Sequence, residues 1–242
     1  MDALIAKIKN KKELSGIPDK YIATLLAPYY TKNKTISSKD EKMLLKIIRN
    51  QLRKTTGRYH TKSGTEHVST AERTFFYPQL DEKIAALHPK SILDVGCGQN
   101  PLFQARKGIF YYAYDLNEKD LARVQAHFTH EQIAGIIKTT DITQETSFPK
   151  VDLVLAYKIL DIIDTKGHPK ATQVLRALDT KHLLASFPTI SLSGKKMKTT
   201  HRLWFEQALR TNGYTFETFA SSNELFYLAR RGANKVTSTS RN

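Results

Sequence analysis

The sequence predicts an α/β protein in which a seven-stranded sheet with intervening helices follows a small α-helical N-terminal domain. Short apolar runs at 92–95, 110–115, 133–140, 151–156 and 182–186 alternate with helical patterns, as parallel strands joined by crossover helices do. Two further runs, 214–219 and 225–229, follow each other closely and suit a hairpin at one sheet edge. The first 54 residues instead repeat their apolar side chains in a helical rhythm among many lysines.

In chain order, residues 3–9 alternate apolar and basic side chains. Pro18 suits the first turn of a second helix that reaches Leu26. A third helix is expected from Ser37-Ser38 to Lys54, with Ser38 and Glu41 as a capping box and Met43, Leu44, Ile47, Ile48 and Leu52 as its apolar positions. Residues 55–66 are polar and glycine-bearing, a loop. Ser69 or Thr70 then caps an amphipathic helix ending near Leu87, with Arg73 inside its first turns. Asn117 caps a helix through Phe128, and a last helix spans 199–211. The expected division is a basic helical domain at 1–80, an α/β domain at 81–231 and a disordered tail at 232–242.

The first core strand ends in Asp94-Val95-Gly96-Cys97-Gly98. Glycines at a strand end let backbone approach a ligand lying across it. A nicotinamide fingerprint needs a third glycine where Pro101 stands, so that chemistry is excluded. Asp-x-Gly-x-Gly closing a strand instead resembles motif I of the class I, Rossmann-like methyltransferases that use S-adenosylmethionine. An acidic residue should close the next strand, about 20 residues on, to hold the ribose hydroxyls; Asp115 does so. Asp141 followed by Ile142 at the third strand end suits adenine, the carboxylate accepting from its exocyclic amine. A methionine-derived donor carries a carboxylate, which Arg73 near a helix start would suit.

The formal net charge is +15, from 38 basic and 23 acidic residues. Residues 1–80 hold 16 Lys and Arg against 7 Asp and Glu, and residues 195–242 hold 9 against 3. The two ends therefore carry the whole excess and the middle is neutral, a separation that favours a working RNA surface. The helical domain is expected to dock on RNA phosphates through Lys7, Lys9, Lys46, Arg49 and Arg53. Lys195, Lys196, Lys198 and Arg202 would grip phosphates flanking the target. One cysteine, Cys97, excludes an internal disulfide and a cysteine-based zinc site, and no metal is expected. Neither a membrane span nor a secretory start is present in the pattern, so a cytoplasmic protein is expected.

Several stretches together resemble the aminoglycoside-resistance methyltransferases that modify guanine N7 in the decoding site of 16S ribosomal RNA. They are His67-Val68-Ser69-Thr70 with Glu72-Arg73, the glycine turn with Asn100-Pro101-Leu102, Tyr157-Lys158, and Ser186-Phe187-Pro188-Thr189 with Ser191-Leu192 and Gly194-Lys195-Lys196-Met197. The resemblance implies cofactor contacts at His67, Val68, Ser69, Arg73, Gly96, Asp115, Asp141 and Ile142, with Cys97 and Gly98 in the same turn. It also implies Tyr157 and an aromatic near Tyr29. The implied cofactor is S-adenosylmethionine, with S-adenosylhomocysteine as product, and the implied partner is 16S rRNA within the 30S subunit, met by a monomer. The sequence departs from the family at Ala71, Ile190 and residues 159–164, which leaves the target nucleotide open.

Guanine N7 has a lone pair, so no general base is expected and catalysis is positioning. Phe187 and Pro188 would stack an extruded base. Two other readings stay open: a class I methyltransferase for another rRNA or tRNA base, and a cofactor-fold RNA-binding or assembly protein without turnover.

Overall fold

The computed structural model describes residues 1–29, 37–54, 68–164, 167–191 and 194–232. One sheet holds β1 (Ser91–Val95), β2 (Phe110–Asp115), β3 (Gly135–Thr139), β4 (Val151–Tyr157), β5 (Thr180–Pro188), β6 (Tyr214–Ala220) and β7 (Glu224–Arg231) in the order β3-β2-β1-β4-β5-β7-β6. Strands β1 to β5 are parallel, and β7 runs antiparallel to both β5 and β6. All seven expected strands are present. β5 is longer than expected because β4 and β7 pair with its two ends, Val151 with Thr180 and Glu224 with Pro188. β3 starts late because Ile133 N still donates to Phe128 O at 2.9 Å, closing the preceding helix.

Alternation along the strands sends side chains to two apolar layers. Leu93, Val154, Ala185 and Tyr227 face α8 (Pro169–Ala177) and α9 (Leu203–Thr211). Ile92, Leu155, Leu184 and Phe226 face α5 (Tyr77–Ala85) and α7 (Glu118–Glu131), with Leu102 of α6 (Pro101–Gln104) packed against the same layer. The helices α1 (Asp2–Lys9), α2 (Asp19–Leu26) and α3 (Ser38–Leu52) enclose a separate core built on Ile8, Leu14, Ile22, Ile48 and Leu52. This unit is tied to the start of α7: Glu118 N donates to Gly16 O at 2.8 Å, and Lys119 Nζ to Ser15 Oγ at 2.7 Å. A Cβ at Gly16 would collide with Asn117 Oδ1, so the approach needs glycine.

Two helix starts differ from expectation. Ser37, not Ser38, caps α3, accepting from Asp40 N at 3.2 Å and donating to Asp40 Oδ2 at 2.7 Å. That register buries Leu44, Leu45, Ile48 and Leu52 and leaves Met43 and Ile47 exposed. Ser69 and Thr70 lie inside α4 (Val68–Arg73), both buried, and a turn at 74–76 separates α4 from α5, whose first turn holds Pro78. The expected loop at 55–66 and tail at 233–242 lie outside the described residues.

Candidate active site

Chain order reverses between β1 and β4, and beyond the carboxyl ends of these strands lies a cleft of about 840 Å³ including its mouth. Gly96 forms its floor with a φ of +67°, and an added Cβ there would stand 2.6 Å from Ile159 Cγ1. Gly96 N and Cys97 N both donate to Tyr114 O, at 2.8 and 3.1 Å, which pins the turn to β2. Asp94 braces the turn from behind, accepting from Asn100 Nδ2 at 2.7 Å and Tyr111 OH at 2.8 Å. Burial pushes its carboxyl up to about 7.

Asp115 faces the cleft, accepting from Gly98 N and Asn117 N, each at 2.8 Å. Burial raises it to about 6, although these two amides favour the charged form. Asp141 caps a short turn by accepting from Thr143 N and Oγ1, at 2.9 and 2.8 Å, and presents Ile142 beside it. Tyr21 of α2 reaches this end of the cleft. Burial, with the charge of Asp141, moves its phenol up to about 12.

At the other end four charges interlock. Arg73 Nε lies 2.9 Å from Glu224 Oε1, and both side chains are almost wholly buried. Glu224 also takes Ser186 Oγ at 2.6 Å and Lys158 Nζ at 3.1 Å. Lys158 Nζ bonds Glu72 Oε2 at 2.7 Å, which accepts from Asn223 Nδ2 at 2.9 Å. Burial alone would raise Glu224, but Arg73 and Lys158 hold it below the usual carboxylate range. The Arg73 guanidinium lies 4.8 Å over the Tyr157 ring, and its Nη2 is buried with no hydrogen-bond partner among the described residues. Lys158 adopts a φ of +56°, a strained conformation for a side chain with a Cβ and one that clusters at functional sites.

The fold thus brings Ser69, Gly96, Asp115, Asp141, Ile142 and Tyr157 onto one cleft, with Arg73 stacked on Tyr157. Cys97 and Gly98 are buried in the turn, and burial pushes the Cys97 thiol well up, so it is no nucleophile. His67 and the side chain of Val68 lie outside the described residues.

Three expectations are corrected. Tyr29 is 52% exposed and does not line the cleft; among the described residues of the helical part, Tyr21 is the aromatic that does. Phe187 cannot stack on a base: it is 0% exposed, packed against Phe205, Trp204 and Tyr227, while Pro188 is half-buried at the strand end. Arg202 is buried and its donors are spent inside the protein, on Asp161, Pro188, Thr199 and Thr200.

Lys195, Lys196, Lys198 and Lys46 are exposed, whereas Lys7, Lys9 and Arg53 pair with Glu41, Asp19 and Glu13, and Arg49 donates to Lys7 O. Sequence reasoning missed Tyr21, Asn117, Lys158, Ile159 and Ile163 as cleft residues. Only the position of Lys158, directly after a strand, hinted at its place.

A family model described as "Ribosomal RNA methyltransferase (FmrO)" matches residues 60–228. The chain belongs to this family. A 16S rRNA (guanine(1405)-N(7))-methyltransferase of Serratia marcescens is 29% identical over 70% of the chain and 69% of its own length. One of the same name from Frankia casuarinae is 27% identical over 68% of the chain, and the match spans 61% of that relative. The 16S rRNA methyltransferase RmtF, solved in complex with S-adenosyl-L-homocysteine, superposes with a TM-score of 0.75 at 20% identity, covering 96% of this chain and 98% of that one. The methylase RmtB gives 0.72 at 20% identity, covering 96% and 98%. Other neighbours, such as a magnesium protoporphyrin IX methyltransferase at 0.52 and 18%, share the class I fold.

The residues of this FmrO-family chain fit S-adenosylmethionine. The glycine cradle would be filled by a Cβ, a carboxylate stands at the end of β2, and an Arg73 nitrogen with no partner among the described residues is buried beside Tyr157 of the cleft. When bound, the cofactor supplies an electrophilic sulfonium methyl.

Proposed function

We propose that the chain methylates N7 of a guanine in 16S rRNA, acting as a monomer on the assembled small subunit in the cytoplasm. The observation that carries this reading is the placement of the donor cleft and the exposed Lys195, Lys196 and Lys198 around the same carboxyl ends of the sheet. The names of the relatives support guanine N7. Among the described residues no helix is long and apolar enough to cross a membrane.

In this reading Asp115 accepts the ribose hydroxyls, and Asp141 and Ile142 hold adenine under Tyr21. Arg73 and Ser69, with His67 and Val68, take the methionine end. The N7 lone pair attacks without prior deprotonation, so the protein's task is to hold that nitrogen in line with the methyl and exclude water. Pro188 stands where the base enters, while Lys158 stays paired with Glu72 and Glu224 in the wall of the cleft. The helical domain and the basic loop after β5 hold flanking phosphates, the former with Lys46 and those faces of Lys7, Lys9, Arg49 and Arg53 not engaged internally. The division of the chain into a docking part and a catalytic part belongs to the same reading.

The test is methylation of purified small subunits, followed by borohydride–aniline mapping. One N7-methylguanine in the decoding site is expected. Label at another base, or none, would overturn the target assignment.

A further inference from the structure

Arg202 begins where the loop after β5 returns to α9, and only 9% of its side chain is exposed. Its Nη2 donates to Pro188 O at 3.0 Å, where β5 gives way to the loop. Its Nη1 donates to Thr199 O and Thr200 O, at 3.1 and 2.8 Å, where the loop comes back. Its Nε donates to Asp161 Oδ2 at 2.8 Å. Asp161 lies in the turn that supplies Ile159, Ile162 and Ile163 to the wall of the donor cleft. Between these ties the loop folds back on itself: Met197 N donates to Thr189 O and Ser191 N to Lys195 O, both at 2.8 Å, and Ile190 bridges Lys196. The loop's lysines stay exposed.

We propose that Arg202 is a positioning residue: through Asp161 it sets the stance of the basic loop, at its described residues 189–191 and 194–198, against the wall of the donor cleft, so that RNA held by the loop presents its base in line with the methyl. One planar guanidinium fastens both ends of the loop and the cleft turn at once, a geometry that an ammonium cannot reproduce. The inference rests on the function proposed above.

Asp161→Ala removes the acceptor that links Arg202 to the cleft turn while leaving the loop's own ties and lysines in place. Its kcat on small subunits is expected to fall about tenfold or more, as misplacement of a reacting group does. Its KM for subunits and its affinity for S-adenosylhomocysteine should stay within about twofold of wild type, since neither binding surface is changed. Arg202→Lys should retain more turnover than Arg202→Met. On the pure protein, S-adenosylhomocysteine should slow hydrogen exchange at the Ser191 and Met197 amides in wild type and have no such effect in Asp161→Ala. Wild-type kcat in Asp161→Ala would overturn the proposal, as would a fall in kcat matched by lost cofactor affinity, or exchange that ignores the cofactor in wild type. Should the Arg202 variants fail to fold, Asp161→Ala decides. A wrong target nucleotide shows in the wild-type mapping and leaves the exchange result standing.

Discussion

In the proposed function Asp115 accepts a pair of ribose hydroxyls, which it does best as a carboxylate, yet its burial raises it from an ordinary 3.8 to about 6. Affinity for S-adenosylhomocysteine should therefore fall as pH drops through about 6, and Asp115→Asn should lose that dependence along with most of the affinity. Titration calorimetry across this range checks it; an affinity independent of pH in wild type would refute the ribose role. Folding has the opposite sign. Asp94 and Asp115 hold protons in the fold at pH values where the unfolded chain has released them, so their contribution to stability diminishes as pH rises from about 4 to about 7. The place of Asp115 was legible from spacing alone, because a second parallel strand of this length must end beside the glycine turn. Asp94 was legible as part of the motif, but its role as a brace depends on Tyr111 and Asn100 meeting it in space.

Among the elements, α2 contributes more than a docking surface, since Tyr21 projects from the helical unit into the cleft. Tyr21→Ala should weaken S-adenosylhomocysteine binding about tenfold, on the order of 1.4 kcal/mol, by removing a buried aromatic face. The exposed Tyr29 should tolerate alanine without that loss, and equal effects from the two variants would refute the assignment. In the proposed function the loop after β5 works on the RNA. Reversing Lys195 and Lys196 to glutamate should raise KM for small subunits steeply while cofactor affinity holds, because these cations meet phosphates and not the donor. Loss of both affinities together would instead place the lysines in the cleft. Helix existence was legible from apolar spacing, while the start of α3 was ambiguous because Ser37-Ser38 is followed by Asp40-Glu41, giving two serines each an acid three residues on.

Across the whole molecule, Glu224 of β7 joins α4 and the end of β4 through Arg73 and Lys158. Glu224→Gln would leave two cations buried against too little negative charge, and such breakage costs about 3–5 kcal/mol. Urea unfolding should show that loss, with the slope unchanged; a change under about 1 kcal/mol would mean the cations find other partners. No local pattern marks Glu224, because its partner Arg73 lies 151 residues away in the chain. Phe187 and Arg202 illustrate the same limit: an aromatic at a strand end and an arginine in a basic loop look available until α9 packs over one and the loop closes round the other.

The number of strands, the pairing of the last two at an edge, the glycine turn, the carboxylate that closes β2 and the charge at the two ends were all determined by the sequence alone, because periodicity, turn chemistry and net charge are local properties of the chain. The sheet order, the aromatic that reaches the cleft, and which cations stay exposed and which are consumed by buried pairing were decided only by the tertiary structure. Those outcomes depend on what packs against each side chain from distant parts of the chain, and desolvation and pairing, unlike spacing, exist only once the parts have met.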